Sequence, residues 1–172
     1  MLPVILIKLA SNGNLDFRNS LCNYLGMPEL LSAYDNLTEF TFDGRAYTVA
    51  KTGEMAVANG VICDTYEVPE VDDEWDLGII KVEPGASTPR QLVIGGTRTV
   101  EAHLAGSGWL MIAPGLLFES PDRHVFNEDE QPGRHVDVRQ GEVMQWVVGT
   151  TGLVAAELCW PPYQDGRFLD LP

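Results

Sequence analysis

Basic residues are scarce in this sequence. Over 172 residues, 11 Lys and Arg stand against 25 Asp and Glu, a formal net charge of −14. Binding a phosphate backbone or an anionic membrane requires clustered cations that release counterions, so neither nucleic acid nor a membrane is an expected partner. Cysteine is sparser still: Cys22, Cys63 and Cys159 lie far apart with no CxxC pair. Three such thiols point to reduced cysteines in the cytoplasm rather than a disulfide framework. Long apolar runs are also missing. The opening MLPVILIKL lacks a basic n-region and a small-residue cleavage site, and reads as a strand rather than a signal peptide or membrane span. What is plentiful is apolar surface, 45% of residues, which excludes disorder and fits one domain with a sizeable core.

Along the chain, helical spacing is confined to the beginning. Phe17, Leu21, Tyr24 and Leu25 share one helical face over residues 16–25, and Pro28 opens a second short helix, PELLSAY. From Leu37 the pattern alternates. Phe40 and Phe42, a turn at Asp43-Gly44, then Tyr47 and Val49 predict a hairpin with a type I′ turn. DTYEVPEVDDEWD, residues 64–76, reads as a solvated acidic loop with an extended edge, or as an acidic docking surface. From Leu77, short apolar segments alternate with Gly and Pro turns: LGIIKVEPG, RQLVIGG, TVEAHL, GWLMIAPG, GEVMQWVVG, GLVAAELCW and GRFLDL. Turns rather than helices between strands predict a mainly β fold, an antiparallel β-sandwich or jelly-roll barrel with a short N-terminal helical segment. Residues 1–76 would pack on a barrel built from 77–172, together forming one structural domain. A polar break over residues 119–136 carries His124 and His135, read as exposed or as part of a lid.

The order of motifs resembles the cupin superfamily. VEPGASTPRQLVIGGTRTVEAHLAGSGWLMI is similar to the first half of a cupin, and VRQGEVMQWVVGTTGLVAAELCWPPYQDGRF to the second. The resemblance implies a small-molecule cavity inside the barrel. The family's metal-binding versions carry two histidines, a glutamate and a further histidine. Aligned on the turns, these fall on Gln91, Val93, Thr99 (or Glu101 after a slip of two residues) and Gly152. Valine and glycine cannot ligate a metal, so no metal and no cofactor is expected.

Period-two reading of RTVEAHLAGSG puts Thr99, Glu101 and His103 on one face of a strand and Val100, Ala102 and Leu104 on the other. In a cupin register the polar face looks into the barrel, and the apolar face needs cover from the N-terminal segment or a second subunit; a homodimer is expected. Glu157 shares a face with Cys159, although parity leaves open which face of the last strands is inward. The expected catalytic group is His103 with Glu101 and Glu157. An imidazole beside carboxylates is suited to moving a proton near neutral pH. Arg90, Arg98 and Gln91 would hold a ligand's polar groups, with Trp146 and Tyr163 as wall or rim. Cys159 is expected to be an inert thiol, and WPPY a rigid closing segment. Two functions follow. One is a metal-independent isomerase, epimerase or lyase acting on a sugar derivative or a hydroxy or keto acid. The other is a non-catalytic ligand-binding or scaffold barrel. A metal-dependent dioxygenase-like site built from Glu101, His103 and Glu157 ranks behind both.

Overall fold

The computed structural model describes residues 6–9, 27–115 and 121–172. The expected helix over residues 16–25 lies outside them. Helix α1, Met27–Ser32, starts around Pro28, whose fixed φ suits a first turn. The hairpin follows as β2 (Leu37–Phe42) and β3 (Arg45–Thr48). Asp43 and Gly44 both have positive φ, 51° and 76°, as a type I′ turn demands. With β1 (Leu6–Leu9) antiparallel to β2, these strands form a three-stranded sheet.

A nine-stranded antiparallel sheet makes up the rest: β4 (Ala50–Ala58), β5 (Val61–Glu67), β6 (Asp76–Val82), β7 (Arg90–Val93), β8 (Arg98–Pro114), β9 (Asp122–Phe126), β10 (His135–Val138), β11 (Glu142–Trp160) and β12 (Phe168–Leu171). Its frame is the β8–β11 pair, 17 and 19 residues long. Four of the expected short strands are therefore two long ones. The GSG and GTTG stretches are bends within them, where Gly106 and Gly152 take φ of 80° and 72° and the register shifts. On one side of the bends β10 and β6 flank the pair; on the other, β9 and β7 do. Folding at the bends makes the sheet close over itself, and residues of both halves meet in one interior cluster that includes Val61, Ile80, Leu110, Phe126, Met144, Trp146, Leu153 and Ala155.

β4 and β5 join the nine-stranded sheet through β6. Two expectations are corrected. The acidic run is not wholly a solvated loop, because Asp64 on β5 is fully buried between Lys51 Nζ at 2.8 Å and Lys81 Nζ at 2.6 Å, with Lys81 also paired to Asp35. The polar break contributes β9 and β10, both paired to β8.

The apolar face of β8 is covered by the chain itself. Val100, Ala102 and Leu104 pack with Leu37, Phe40, Phe42 and Tyr47 of the N-terminal hairpin. At roughly 1.5–3 kcal/mol for each fully buried large side chain, this second layer is a substantial part of the stability. Among the described residues no helix is long and apolar enough to cross a membrane.

Candidate functional site

Alternation along β8 separates two environments. Leu104, Ala102 and Val100 belong to the outer cluster, and Thr99, Glu101 and His103 point the other way, each of the three buried. Inward orientation of Glu101 is settled by a contact across the barrel. Trp146 Nε1, on the far half of β11, donates to Glu101 Oε2 at 2.7 Å. On the near half of β11 the inward residues are Leu153 and Ala155 of the interior cluster, which by period two puts Glu157 and Cys159 on the same face.

Glu101 and Glu157 are direct cross-strand partners. Glu101 is 0% exposed, whereas Glu157 remains partly open. Gly78 pairs with Glu157 from the other side; a side chain there would meet Cys63 Sγ at 3.0 Å and Glu157 Cβ at 3.8 Å. This glycine leaves room beside the carboxyl. Burial, followed by the facing Glu157, pushes the Glu101 carboxyl well above the usual range, and the Trp146 N–H only partly opposes this. Burial also raises Glu157, with Asp76 adding to the rise while Glu101, Arg167 and the Cys159 thiol lower it. Two facing carboxyls cannot both ionise cheaply, and the upward push is the stronger on the fully buried Glu101. Glu101 and Glu157 hydrogen-bond to each other across the two strands, a contact that needs a proton on one of them. Cys63 and Cys159 flank the pair, their thiols pushed up by burial and by Glu157. They are protonated packing groups, not nucleophiles.

His103 does not join this group. Its Nε2 lies 2.9 Å from Gly106 O, its ring stacks on Phe126 with centroids 5.1 Å apart, and it makes no hydrogen bond to Glu101. Burial lowers its pKa, so it is a neutral imidazole that donates to the Gly106 carbonyl at neutral pH. Glu101 and His103 make no hydrogen bond to each other: pairing is regular from Glu101 to His103, the bulge at Leu104 follows both, and His103 is turned to Gly106 O and Phe126.

The expected ligand-holding residues scatter. Arg98 lies on the outer face, bonded to Asp137 Oδ1 at 2.6 Å and stacked on Trp160 at 4.9 Å. Gln91 Nε2 donates to Asp170 at 2.9 Å. Arg90 is on the exposed side of β7. Tyr163, 41% exposed, packs against Phe168 and not in the interior. Trp146 is an interior wall, filling the barrel with Phe126 at 5.2 Å. His124 is half-buried on β9, and His135 sits edge-on to Phe42 on β10. Sequence reasoning missed Arg167, whose buried guanidinium reaches Thr99 Oγ1 at 2.9 Å. Its one sequence signal is the Gly95-Gly96 pair that makes space for it.

The residues present do not fit a cupin metal centre. Val93 is in the apolar interior, Thr99 accepts from Arg167, Gln91 is occupied by Asp170, and Gly152 offers no side chain. Among the described residues no three His, Cys, Asp or Glu side chains converge as a metal would need.

No protein-family model matches the chain, and no curated protein matches it. Solved structures do. The capsular polysaccharide assembling protein CapF from Staphylococcus aureus superposes with a TM-score of 0.53 at 12% identity, over 68% of this chain and 33% of that one. Oxalate decarboxylase OxdC of Bacillus subtilis gives 0.51 at 10% identity over 71% and 33%, so this chain spans about a third of either protein. A Streptomyces PAC13 variant with uridine gives 0.51 at 10% identity over 73% of this chain and 89% of that one. At such identities the likeness establishes the fold alone, which is that of the cupins.

Proposed function

We propose that this cupin-fold chain binds a small neutral, hydroxyl-rich molecule, such as a sugar derivative, at the Glu101–Glu157 end of its barrel. The observation that carries this is the inward carboxyl pair itself: Glu101 and Glu157 face each other across β8 and β11 and hydrogen-bond together, and Glu157 remains partly open. A ligand hydroxyl reaching Glu157 from its open side donates to that carboxyl. The electrostatics select against hydroxy and keto acids. Arg98 is on the outer face, Arg167 turns Nη1 and Nη2 to backbone and Thr99 oxygens, and the chain carries −14 overall. A second anion beside Glu157 would meet repulsion with no forked cation to hold it. Should turnover accompany binding, it is metal-independent epimerisation, isomerisation or elimination, with Glu157 as base and Glu101 as acid; His103 is outside the reacting group. The packing of Trp146, Phe126 and Leu110 in the interior favours a second reading, a scaffold barrel without a ligand.

Calorimetric titration separates the readings. Glucose, galactose and uridine are to be compared with lactate, malate and pyruvate, against the natural chain and Glu157→Gln. The proposal expects binding of at least one neutral compound, weakened tenfold or more by the substitution, and none of the acids. Binding of acids that is indifferent to Glu157→Gln would refute it, and silence from every compound would favour the scaffold.

A further inference from the structure

One row of inward residues crosses the barrel sheet from edge to edge. Strand register sets it: Val136 of β10 faces Glu101 of β8, and Glu101 faces Glu157 of β11. Glu157 faces Gly78 of β6, Gly78 faces Thr65 of β5, and Thr65 faces Gly53 of β4. Cross-strand partners share a face, and Cys63, two residues before Thr65, belongs to the interior cluster, so the whole row looks inward. Exposure changes along it. Glu101 is fully buried, whereas Glu157, Gly78, Thr65 and Gly53 are each partly open. Chemistry changes with it. Past Glu157 come two glycines and a threonine, and neither glycine has a positive φ. Any residue could take their backbone conformation, so what they supply is the absence of a side chain. Glycine weakens a strand interior, and one placed there marks close approach of a ligand or another backbone. At Gly53, among the described residues, an added Cβ would meet Thr65 Oγ1 at 3.0 Å and nothing else within 4 Å. At Gly78 the Cys63 thiol takes part of the room, 3.0 Å from the same point. Polar groups line this strip. Thr65 Oγ1 lies 3.2 Å from Thr52 Oγ1, and a hydroxyl with one such contact keeps capacity for another. Asp76, two residues before Gly78 and paired with Cys159, accepts the Tyr163 N–H at Oδ2, 2.8 Å away.

We infer that the Gly78–Thr65–Gly53 strip extends the carboxyl site and takes the inner units of a neutral oligosaccharide whose terminal unit reaches Glu157. The inference rests on the carboxyl-site reading above and adds the length of the ligand. From the usual spacing of neighbouring strands, Gly53 lies about 14 Å across the sheet from Glu157, more than a single sugar ring covers. A sugar chain suits such a floor. Its ring faces are C–H surfaces that can lie against bare glycine backbone, while hydroxyls at its edges meet the Thr65 hydroxyl and the Asp76 carboxyl. The row holds no Lys or Arg, so charged sugar acids find no counter-ion on it. A chain end enters rather than a chain middle, because beyond Glu157 the row leads to the buried Glu101 and to Val136, which packs against the interior cluster.

Calorimetric titration compares each monosaccharide with its own trisaccharides: glucose with cellotriose and maltotriose, and galactose with galactotriose. At least one trisaccharide is expected to bind about tenfold more tightly than its monosaccharide, the gain of one or two good hydrogen bonds. Thr65→Val keeps the branched shape, removes the hydroxyl and is expected to abolish most of that advantage. Glu157→Gln is expected to weaken both members of the pair together, leaving their ratio in place. A trisaccharide that binds no better than its monosaccharide overturns the inference and leaves the carboxyl-site reading standing. So does an advantage that Thr65→Val does not change, or binding of uridine alone. Silence from every sugar and from uridine removes both. If Thr65→Val does not fold, Gly53→Ala serves in its place, since its methyl stands over the same strip. The trisaccharide advantage must then fall, and an unchanged ratio overturns the inference.

Discussion

Replacing Glu101 by glutamine should change how stability depends on pH, with a sign fixed by the direction of the Glu101 shift. An unfolded glutamate titrates near 4.5, whereas burial and the facing Glu157 keep Glu101 protonated in the native state well above that. From pH 4.5 upward the native state thus holds one proton more than the unfolded chain. Stability then falls by about 1.4 kcal/mol per pH unit until the native pKa is passed, after which the penalty is constant. From pH 5 to 7 the ceiling is about 3 kcal/mol, or about 8 °C in Tm for a chain of this length. Other groups overlap. His103, lowered by burial, works in the opposite direction, since its stabilising effect is lost as pH falls below the ordinary value of 6.5. Asp76 has the same sign as Glu101. The useful quantity is therefore the difference between the natural chain and Glu101→Gln, in which both largely cancel. Glutamine matches the shape and still offers Trp146 Nε1 an acceptor. Urea unfolding at half-unit steps should give curves that diverge between pH 5 and 7, with the variant gaining relative to the natural chain. Parallel curves would mean that Glu101 holds no proton, and the carboxyl-pair argument would fail with it.

Two further substitutions test the surroundings. Lys81→Met leaves the fully buried Asp64 with Lys51 alone, and should cost about 3–5 kcal/mol in urea unfolding. Adding Asp64→Leu should recover much of that loss, and a neutral single variant would show that the buried ion pair contributes nothing. His103→Gln removes the stack on Phe126 and the 2.9 Å contact to Gly106 O, and should cost about 1–3 kcal/mol while sparing ligand binding. An unchanged melt with binding lost would return His103 to the reacting group.

The alternation in RTVEAHL was enough to divide a greasy face from a polar one, because both faces of this strand are buried and each must match its surroundings. Hairpin and barrel strands were legible for a similar reason: turn residues and period two are local signals. Contact between Glu101 and His103 was not legible. Parity assigns a face but not a partner: with pairing regular from Thr99 to His103, His103 turns to Phe126 and Gly106 O while Glu101 looks across at Trp146. Bends at Gly106 and Gly152 were likewise mistaken for turns, since a glycine with positive φ serves either one equally well. Arg167 shows the other limit. It precedes β12 outside any period, and its partners Arg98, Thr99, Trp160 and Pro161 come from two other stretches of chain. The missing metal ligands could be read one position at a time. The cation that meets Thr99 could be found only once the strands were closed into a barrel, because a buried charge is located by what surrounds it in space and not by its neighbours in sequence.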